Sequence, residues 1–239
     1  MTRRLRALGA LTDDHQAALA SLPRRERRYP RGAVLRRADE LNTRVFCVVE
    51  GWALRYRLLD DGARQILSLM MPGDMCDMQA LIGADSDHFV VAATDLVIEE
   101  CAASEFQALL QDDETLAEVF LRSKLQEESI LREQVVRLGQ LKAPQRVLHL
   151  VVELAQRQKM TGVDEPWRLQ HPLGREMLAD FLGLSPVHVS RSLALLSRLE
   201  LIDTRRGCVS LPDPDRAAEY CQFDPSYLSV RTEGCETAA

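Results

Sequence analysis

The sequence predicts an α+β fold of three consecutive parts, and three observations carry that reading. Between residues 45 and 98, short apolar or alternating segments follow one another with turn signals between them. Residues 112–140 then contain no proline and one glycine, Gly139, while apolar residues recur at helical steps. Further on, two short helical patterns flank Gly183. The 239 residues, 46% hydrophobic and 28% charged, suffice for a sizeable core and argue against disorder over the whole length.

The β part begins with Val45, Phe46, Cys47, Val48 and Val49, an apolar run broken by Glu50 and Gly51. Trp52, Leu54, Tyr56 and Leu58 then alternate with Ala53, Arg55 and Arg57, the period of a half-buried strand. Asp60, Asp61 and Gly62 form a hairpin signal, and Ile66, Leu67 and 69–71 form the return strand. Pro72, Gly73 and Asp74 turn the chain again, and 89–93 and 96–98 read as two further strands. Strands so closely spaced suggest a sandwich, roll or barrel.

Ser104 is placed to cap a short helix over 105–111. The long helical pattern starts at Asp112, Asp113 and Glu114, where a helix dipole favours negative charge. Leu121, Leu125, Leu131, Val135 and Leu138 recur along it at three- and four-residue steps, interrupted at Glu128. Such a helix is about 40 Å long at about 1.5 Å per residue, too long for one small domain to cover. The economical partner for its apolar stripe is the same helix of a second copy, so these five residues are the predicted dimerisation surface. Ala143 and Pro144 end this element, and Val147, Leu148, Leu150, Val151, Leu154 and Ala155 line a second helix to about Lys159.

The most informative stretch is 173–202. A first helical pattern over 175–182 turns Leu178, Ala179 and Leu182 inward. A second starts at Ser185, an N-cap, with Pro186 in the first helical position, and turns Val189, Leu193 and Leu196 inward. Gly183 supplies the freedom for a tight turn between them, and Ala179 is small enough to let the helices approach. This is the pattern of a helix-turn-helix. Pro186, Val187, His188, Ser190 and Arg191 are left on the outer face, suited to insertion into a major groove. Arg191 has the reach for guanine O6 and N7 or for a phosphate; Ser185 and Ser190 have hydroxyls for phosphates, and Arg175 stands where the backbone passes. Residues 201–203 and 208–211 read as two strands around Arg205, Arg206 and Gly207, a β-wing that brings two arginines near phosphates.

Net charge is −6, from 30 Lys and Arg against 36 Asp and Glu, which excludes a protein coated in phosphates but permits a local basic face. The first 37 residues hold ten arginines against Asp13, Asp14 and Glu26, a segment expected to lie in solvent rather than near DNA or a polymerase. Six cysteines are scattered without a CxxC pair or zinc spacing, so no metal motif is read, and they are expected to be ordinary thiols. No Ser/His/Asp set or phosphate loop points to an enzyme. No apolar stretch approaches the roughly 20 residues of a membrane span, and none follows Arg3, Arg4 and Arg6 as a secretory signal would require, so the cytoplasm is the expected compartment and no membrane partner is expected.

The whole arrangement resembles the Crp/Fnr family of bacterial transcription regulators. The resemblance rests on the glycine turns of Glu50-Gly51, Asp61-Gly62 and Pro72-Gly73-Asp74, on the long helix, and on the run Leu-Gly-Leu-Ser-Pro-Val-His-Val-Ser-Arg-Ser-Leu over 182–193. The closing 223–228, Phe-Asp-Pro-Ser-Tyr-Leu, is similar to one branch of that family. It implies a β-roll (a double-stranded β-helix of the cyclic-nucleotide-binding kind) over 1–111, a dimerisation helix over 112–141 and a winged helix-turn-helix over 142–239. It also implies a homodimer on a pseudo-palindromic operator, an effector in the roll, and double-stranded DNA and RNA polymerase as partners.

Two departures from the family pattern bear on the effector, and a third on DNA. Members that bind cyclic AMP carry Gly-Glu after the Pro-Gly turn and Arg-Ser or Arg-Thr about ten residues later; here the positions read Asp77-Met78 and His88-Phe89, which argues against cyclic AMP. Iron–sulfur members carry an N-terminal cysteine cluster, whereas no cysteine precedes Cys47, which argues against such a cluster. In the predicted recognition helix, Val187 stands where many relatives have Glu and meets a thymine methyl rather than cytosine N4. Met70, Met75, Cys76, Met78 and His88 are the candidate effector-pocket residues: an apolar effector or haem, with His88, Cys76 or a Met as ligand, is one reading, and plain core packing the other. The alternative function is a haem or small-ligand sensor that acts through a protein partner.

Overall fold

Strands alternate between two sheets as the chain advances through the N-terminal half, and this alternation builds the roll. The computed structural model describes residues 4–5, 11–165, 167–170, 174–205 and 208–229. Helix α1 (Asp13–Ser21) comes first, capped by Thr12. The strands are β1 (Arg25–Tyr29), β2 (Val34–Arg36), β3 (Arg44–Glu50), β4 (Ala53–Leu58), β5 (Arg64–Met70), β6 (Met75–Cys76), β7 (Phe89–Ala92) and β8 (Leu96–Ala102). One antiparallel sheet has the order β1-β8-β3-β6 and the other β2-β7-β4-β5. Phe46, Val48, Leu96 and Ile98 of the first sheet meet Leu35, Ala53, Met70, Val90 and Ala92 of the second in one buried cluster. The hydrophobic effect thus closes a thin apolar layer between the sheets. Gly51, at φ +80°, links β3 to β4 where a Cβ would stand 2.1 Å from the Asp95 carbonyl oxygen, so no other residue fits.

Helix α2 (Ala103–Asp112) follows β8 directly. Ser104 does not cap it: the helix starts one residue earlier, and the Ala103 N–H donates to the Thr43 carbonyl of the roll (2.9 Å). Asp113 breaks the helical run and caps α3 (Glu114–Gln140), its carboxylate accepting from the Leu116 N–H (2.9 Å). A short turn leads to α4 (Ala143–Met160), which is buried on nearly every side.

Then come β9 (Arg168–Gln170), α5 (Arg175–Leu182), α6 (Pro186–Arg198), β10 (Asp203–Arg205), β11 (Cys208–Ser210) and α7 (Pro214–Cys221). The wing is a three-stranded antiparallel sheet, β10-β11-β9, rather than two strands; Leu201 and Ile202 are buried just ahead of it. Arg206 and Gly207, assigned to the wing tip by sequence, lie outside the described residues. A 3-10 turn over Pro225–Leu228 closes the described chain. Its Leu228 carbonyl accepts from Gln126 of α3, and its Tyr227 hydroxyl donates to Glu153 of α4 (2.9 Å), so the turn clasps the two helices.

The helical core is continuous with the outer face of the roll: Trp52, Ile66, Leu69 and Met71 share a cluster with Leu148, Leu154, Leu178, Val189 and Leu196. Polar ties reinforce that seam. Arg64 at the β5 end pairs with Asp180 of α5, and Gln65 donates to the Phe181 carbonyl (3.3 Å). Among the described residues, no helix is long and apolar enough to cross a membrane.

The arginine-rich N-terminal part, expected to lie in solvent, does so for only some of its arginines. Arg24 pairs with Glu99 (2.6 Å), Arg27 with Glu100 (3.2 Å) and Arg36 with Asp77 (2.6 Å), and Arg4 is buried against Asp74. The acids that receive them lie on β8 and at the β6 end, positions that no reading of the N-terminal segment alone reaches.

Candidate nucleic-acid interface and effector pocket

The helix-turn-helix is built from local chemistry. Gly183, at φ +60°, ends α5 in the left-handed region, and its N–H donates to the Ala179 carbonyl. Ser185 caps α6, its hydroxyl accepting from the His188 N–H (3.3 Å), and Pro186 starts the first turn. Leu178, Ala179, Phe181 and Leu182 of α5 pack with Val189, Ser192 and Leu196 of α6. Leu193, expected inward, is half-buried at the margin, and the small Ser192 takes the inner position. Pro186, Val187, His188 and Arg191 are all exposed on the leading part of α6. Ser190 is half-buried and donates to the Pro186 carbonyl (2.9 Å), which engages its hydroxyl within the helix. Arg175 is exposed at the start of α5. Arg205 is exposed on β10 beside Asp203 (3.0 Å), which offsets part of its charge.

The long helix has two unlike faces. Leu116, Val119, Phe120, Ser123, Gln126, Ile130, Gln134 and Arg137 are turned inward. Leu121, Leu125, Leu131 and Val135 are 59%, 42%, 46% and 71% exposed, and Val136 joins them at 47%. Leu138 departs from this stripe: it is half-buried, and its Cδ2 lies 3.7 Å from where a Cβ on Gly183 would stand.

Behind α3 runs a chain of buried charge. Arg137, wholly buried, pairs with Glu153 and donates through Nε to His149 Nδ1 (3.2 Å). Arg157 donates to Asp74 at the roll's turn (2.6 Å) and to the Leu69 carbonyl (3.1 Å), joining α4 to the roll. Burial, reinforced by Arg137, pushes the His149 imidazole down to about 4, so it is neutral at pH 7. Burial opposes ionisation of Glu153, but Arg137 and Arg157 outweigh it and hold its carboxyl below the ordinary range.

A cavity of about 320 Å³ opens between the roll and α3. Leu67, Leu69 and Met70 of β5 form one wall, and Glu127, Ile130 and Leu131 of α3 the other. Arg4, Arg55 and Arg157 reach it together with Asp74, Asp87, Gln79 and His88. Glu127 is half-buried, and Arg55 (3.5 Å) and Lys124 (2.8 Å) hold its carboxyl below the usual range against the cost of that burial. A site of this size, with apolar walls and a few fixed charges, suits a small polar molecule.

Of the residues singled out by sequence, the fold brings Met70 and His88 to this cavity. Cys76 lies in the apolar layer between the sheets, Met75 on the far side of β6 against α2, and Met78 is half-buried beside that second cluster. Burial pushes the Cys76 thiol up to about 12 despite Arg55 beside it. Sequence reasoning missed Arg55, Asp74, Glu127 and Arg157. Arg55 falls on what the alternation marks as the polar face of its strand, and Glu127 is one of many charged residues on its helix, so neither stands out.

Comparison with known proteins agrees with this arrangement. A sequence profile of the cyclic nucleotide-binding domain matches residues 26–113, and one of the Crp-like helix-turn-helix domain matches residues 145–220. The chain is 31% identical over 202 residues to the transcriptional activatory protein AadR of Rhodopseudomonas palustris, covering 82% of this chain and 79% of the relative. It is 28% identical over 198 residues to the transcriptional activator protein FnrL of Cereibacter sphaeroides, with the same 82% and 79% coverage. Among solved structures, FixK2 from Bradyrhizobium japonicum superposes with a TM-score of 0.73 at 23% identity, over 88% of this chain and 100% of that one.

Proposed function

The chain belongs to the Crp/Fnr family of transcription regulators, and from that premise we propose that it works as a homodimer whose two α6 helices read the half-sites of a pseudo-palindromic operator. The observation that carries this reading is the pairing of two surfaces. A capped recognition helix presents Pro186, Val187, His188 and Arg191 to solvent, and α3 presents an apolar stripe left exposed by the described residues. Two-fold pairing along α3 duplicates α6, and the duplicated helices then suit half-sites about 34–36 Å apart. Arg191 supplies the base or phosphate contact, Val187 an apolar contact to a thymine methyl, and Arg175, Ser185 and Arg205 contacts to the backbone. Ser190, engaged with its own helix, exchanges that bond for one to phosphate. RNA polymerase is the protein on which such a regulator acts.

The cavity between the roll and α3 is the place for an effector. A ligand there touches both the roll and the helix that carries the dimer stripe, so its affinity differs between two settings of that helix. The replacement of the nucleotide-holding pairs by Asp77-Met78 and His88-Phe89 argues for a ligand other than cyclic AMP.

The test is selection from a randomised duplex pool followed by footprinting. A two-fold symmetric protected site is expected, and Arg191→Ala is expected to weaken it by about 1–3 kcal/mol. Unchanged operator affinity in that variant removes Arg191 from the interface. A protein that stays a single subunit and enriches no duplex overturns the whole reading.

A further inference from the structure

Cys76 ends β6, Asp77 follows it in the left-handed region at φ 64°, and His88 stands just ahead of β7. The fold brings a thiol, a carboxylate oxygen and a ring nitrogen of these residues within 4.8 Å of one another. Each residue is more than nine-tenths buried. The Cys76 thiol donates to Asp77 Oδ1 (3.3 Å), and Arg36 Nε donates to Asp77 Oδ2 (2.6 Å). His88 Nδ1 lies 2.7 Å from the Asp87 carboxylate, while its Nε2 is buried without a hydrogen-bond partner.

That last pair of facts points to a ligand. A buried polar atom with no partner is costly, and native proteins rarely leave one idle. An imidazole anchored through one nitrogen by a carboxylate, with the other nitrogen bare, has the orientation of a metal-ligating histidine. We propose that Cys76, Asp77 and the Nε2 atom of His88 form a binding site inside the roll for a divalent transition-metal ion of the zinc and cobalt class. Sulfur and imidazole donors select that class over magnesium or calcium. With bonds of about 2.0–2.3 Å, tetrahedral donors stand roughly 3.4–3.7 Å apart, so the trio contracts by roughly 1 Å around the ion.

On binding, the sulfur–hydrogen bond breaks, the sulfur lone pair goes to the ion, and the proton leaves to solvent. Arg36 keeps its hold on one oxygen of Asp77 while the other turns to the ion. His88 also lines the cavity beside α3, which gives the ion a way in. The site needs neither DNA nor a second copy, so it stands or falls apart from the proposed function.

The experiment titrates the full-length, metal-stripped protein with Co²⁺ and follows absorption. The expected result is one Co²⁺ per subunit, with a thiolate-to-cobalt charge-transfer band that excess Zn²⁺ abolishes. Cys76→Ser is expected to lose the band. Asp87→Ala, which frees the His88 ring without removing a donor, is expected to weaken Co²⁺ binding about ten- to a hundredfold. Circular dichroism checks each variant, and His88→Gln, with the same expected loss of affinity, replaces Cys76→Ser if the latter does not fold. Absence of the band overturns the assignment, as does a band that survives Cys76→Ser or an affinity that ignores both His88→Gln and Asp87→Ala.

Discussion

The two faces of α3 reverse the usual order of a surface helix. Its inner side carries Gln126, Gln134 and Arg137 among its apolar residues, and its outer side carries Leu121, Leu125, Leu131 and Val135. These three inner groups are engaged: Gln126 with Leu228, Gln134 with the Phe181 carbonyl (2.7 Å), and Arg137 with Glu153. The inner face therefore fixes α3 against the helix-turn-helix, α4 and the closing turn by directional bonds, which set one geometry. The outer face offers only area, which is non-directional and strongest when a matching surface covers it. A helix built this way joins the parts of one subunit through its polar side and, in the proposed dimer, two subunits through its apolar side.

Breaking the inner face should have the larger effect. Arg137→Met leaves Glu153 buried without its main counter-charge, and a loss of about 3–5 kcal/mol is expected in urea unfolding. Replacing Glu153 by Leu as well should restore most of it; if the double variant is as weak as the single one, packing rather than charge is at work. The outer face is tested by Leu125→Asp. Two leucines, each 42% exposed in one subunit, leave the seam of each dimer, at about 0.6–1.3 kcal/mol apiece, so dimer dissociation should strengthen at least about tenfold in sedimentation velocity. An unaltered dissociation constant would place the subunit contact elsewhere.

The third test sharpens the contrast by pH. His149 on the inner side holds no proton in the folded protein until about pH 4, whereas in the unfolded chain it takes one near pH 6.5. Its contribution to stability is therefore complete above about pH 6.5 and declines as pH falls toward 4. On the order of 1 kcal/mol should go between pH 7 and pH 5.5, with His149→Phe flattening that limb in pH-dependent urea melts. The dimer seam, lined by leucine and valine, should show no such limb.

The helix-turn-helix is legible in the sequence because its determinants are consecutive. A cap at Ser185, a proline behind it and a glycine between two apolar stripes need no distant partner to be recognised. Strand β1 is the opposite case. Its Arg25, Glu26, Arg27 and Arg28 carry no apolar period; its place comes from pairing with β8, where Arg27 lies opposite Ile98, and from ion pairs to Glu99 and Glu100. The strand β9, the third in the wing sheet, is hidden likewise, since three residues are too few to show alternation. The polar side of α3 is invisible for a further reason: a search for apolar periodicity finds the outer stripe and passes over glutamines and an arginine whose partners lie on other elements. The pocket charges follow the same rule, since Arg55, Asp74, Glu127 and Arg157 come from four separated segments.

The leading turns of α6 carry a single arginine among a proline, a valine and a histidine, on a chain whose overall charge is −6. In the proposed complex each such tip would displace few counterions of its own, leaving Arg175 and Arg205 at its flanks to supply most of the sequence-independent attraction. A change at the tip would then alter which duplex is chosen more than how tightly duplexes in general are held.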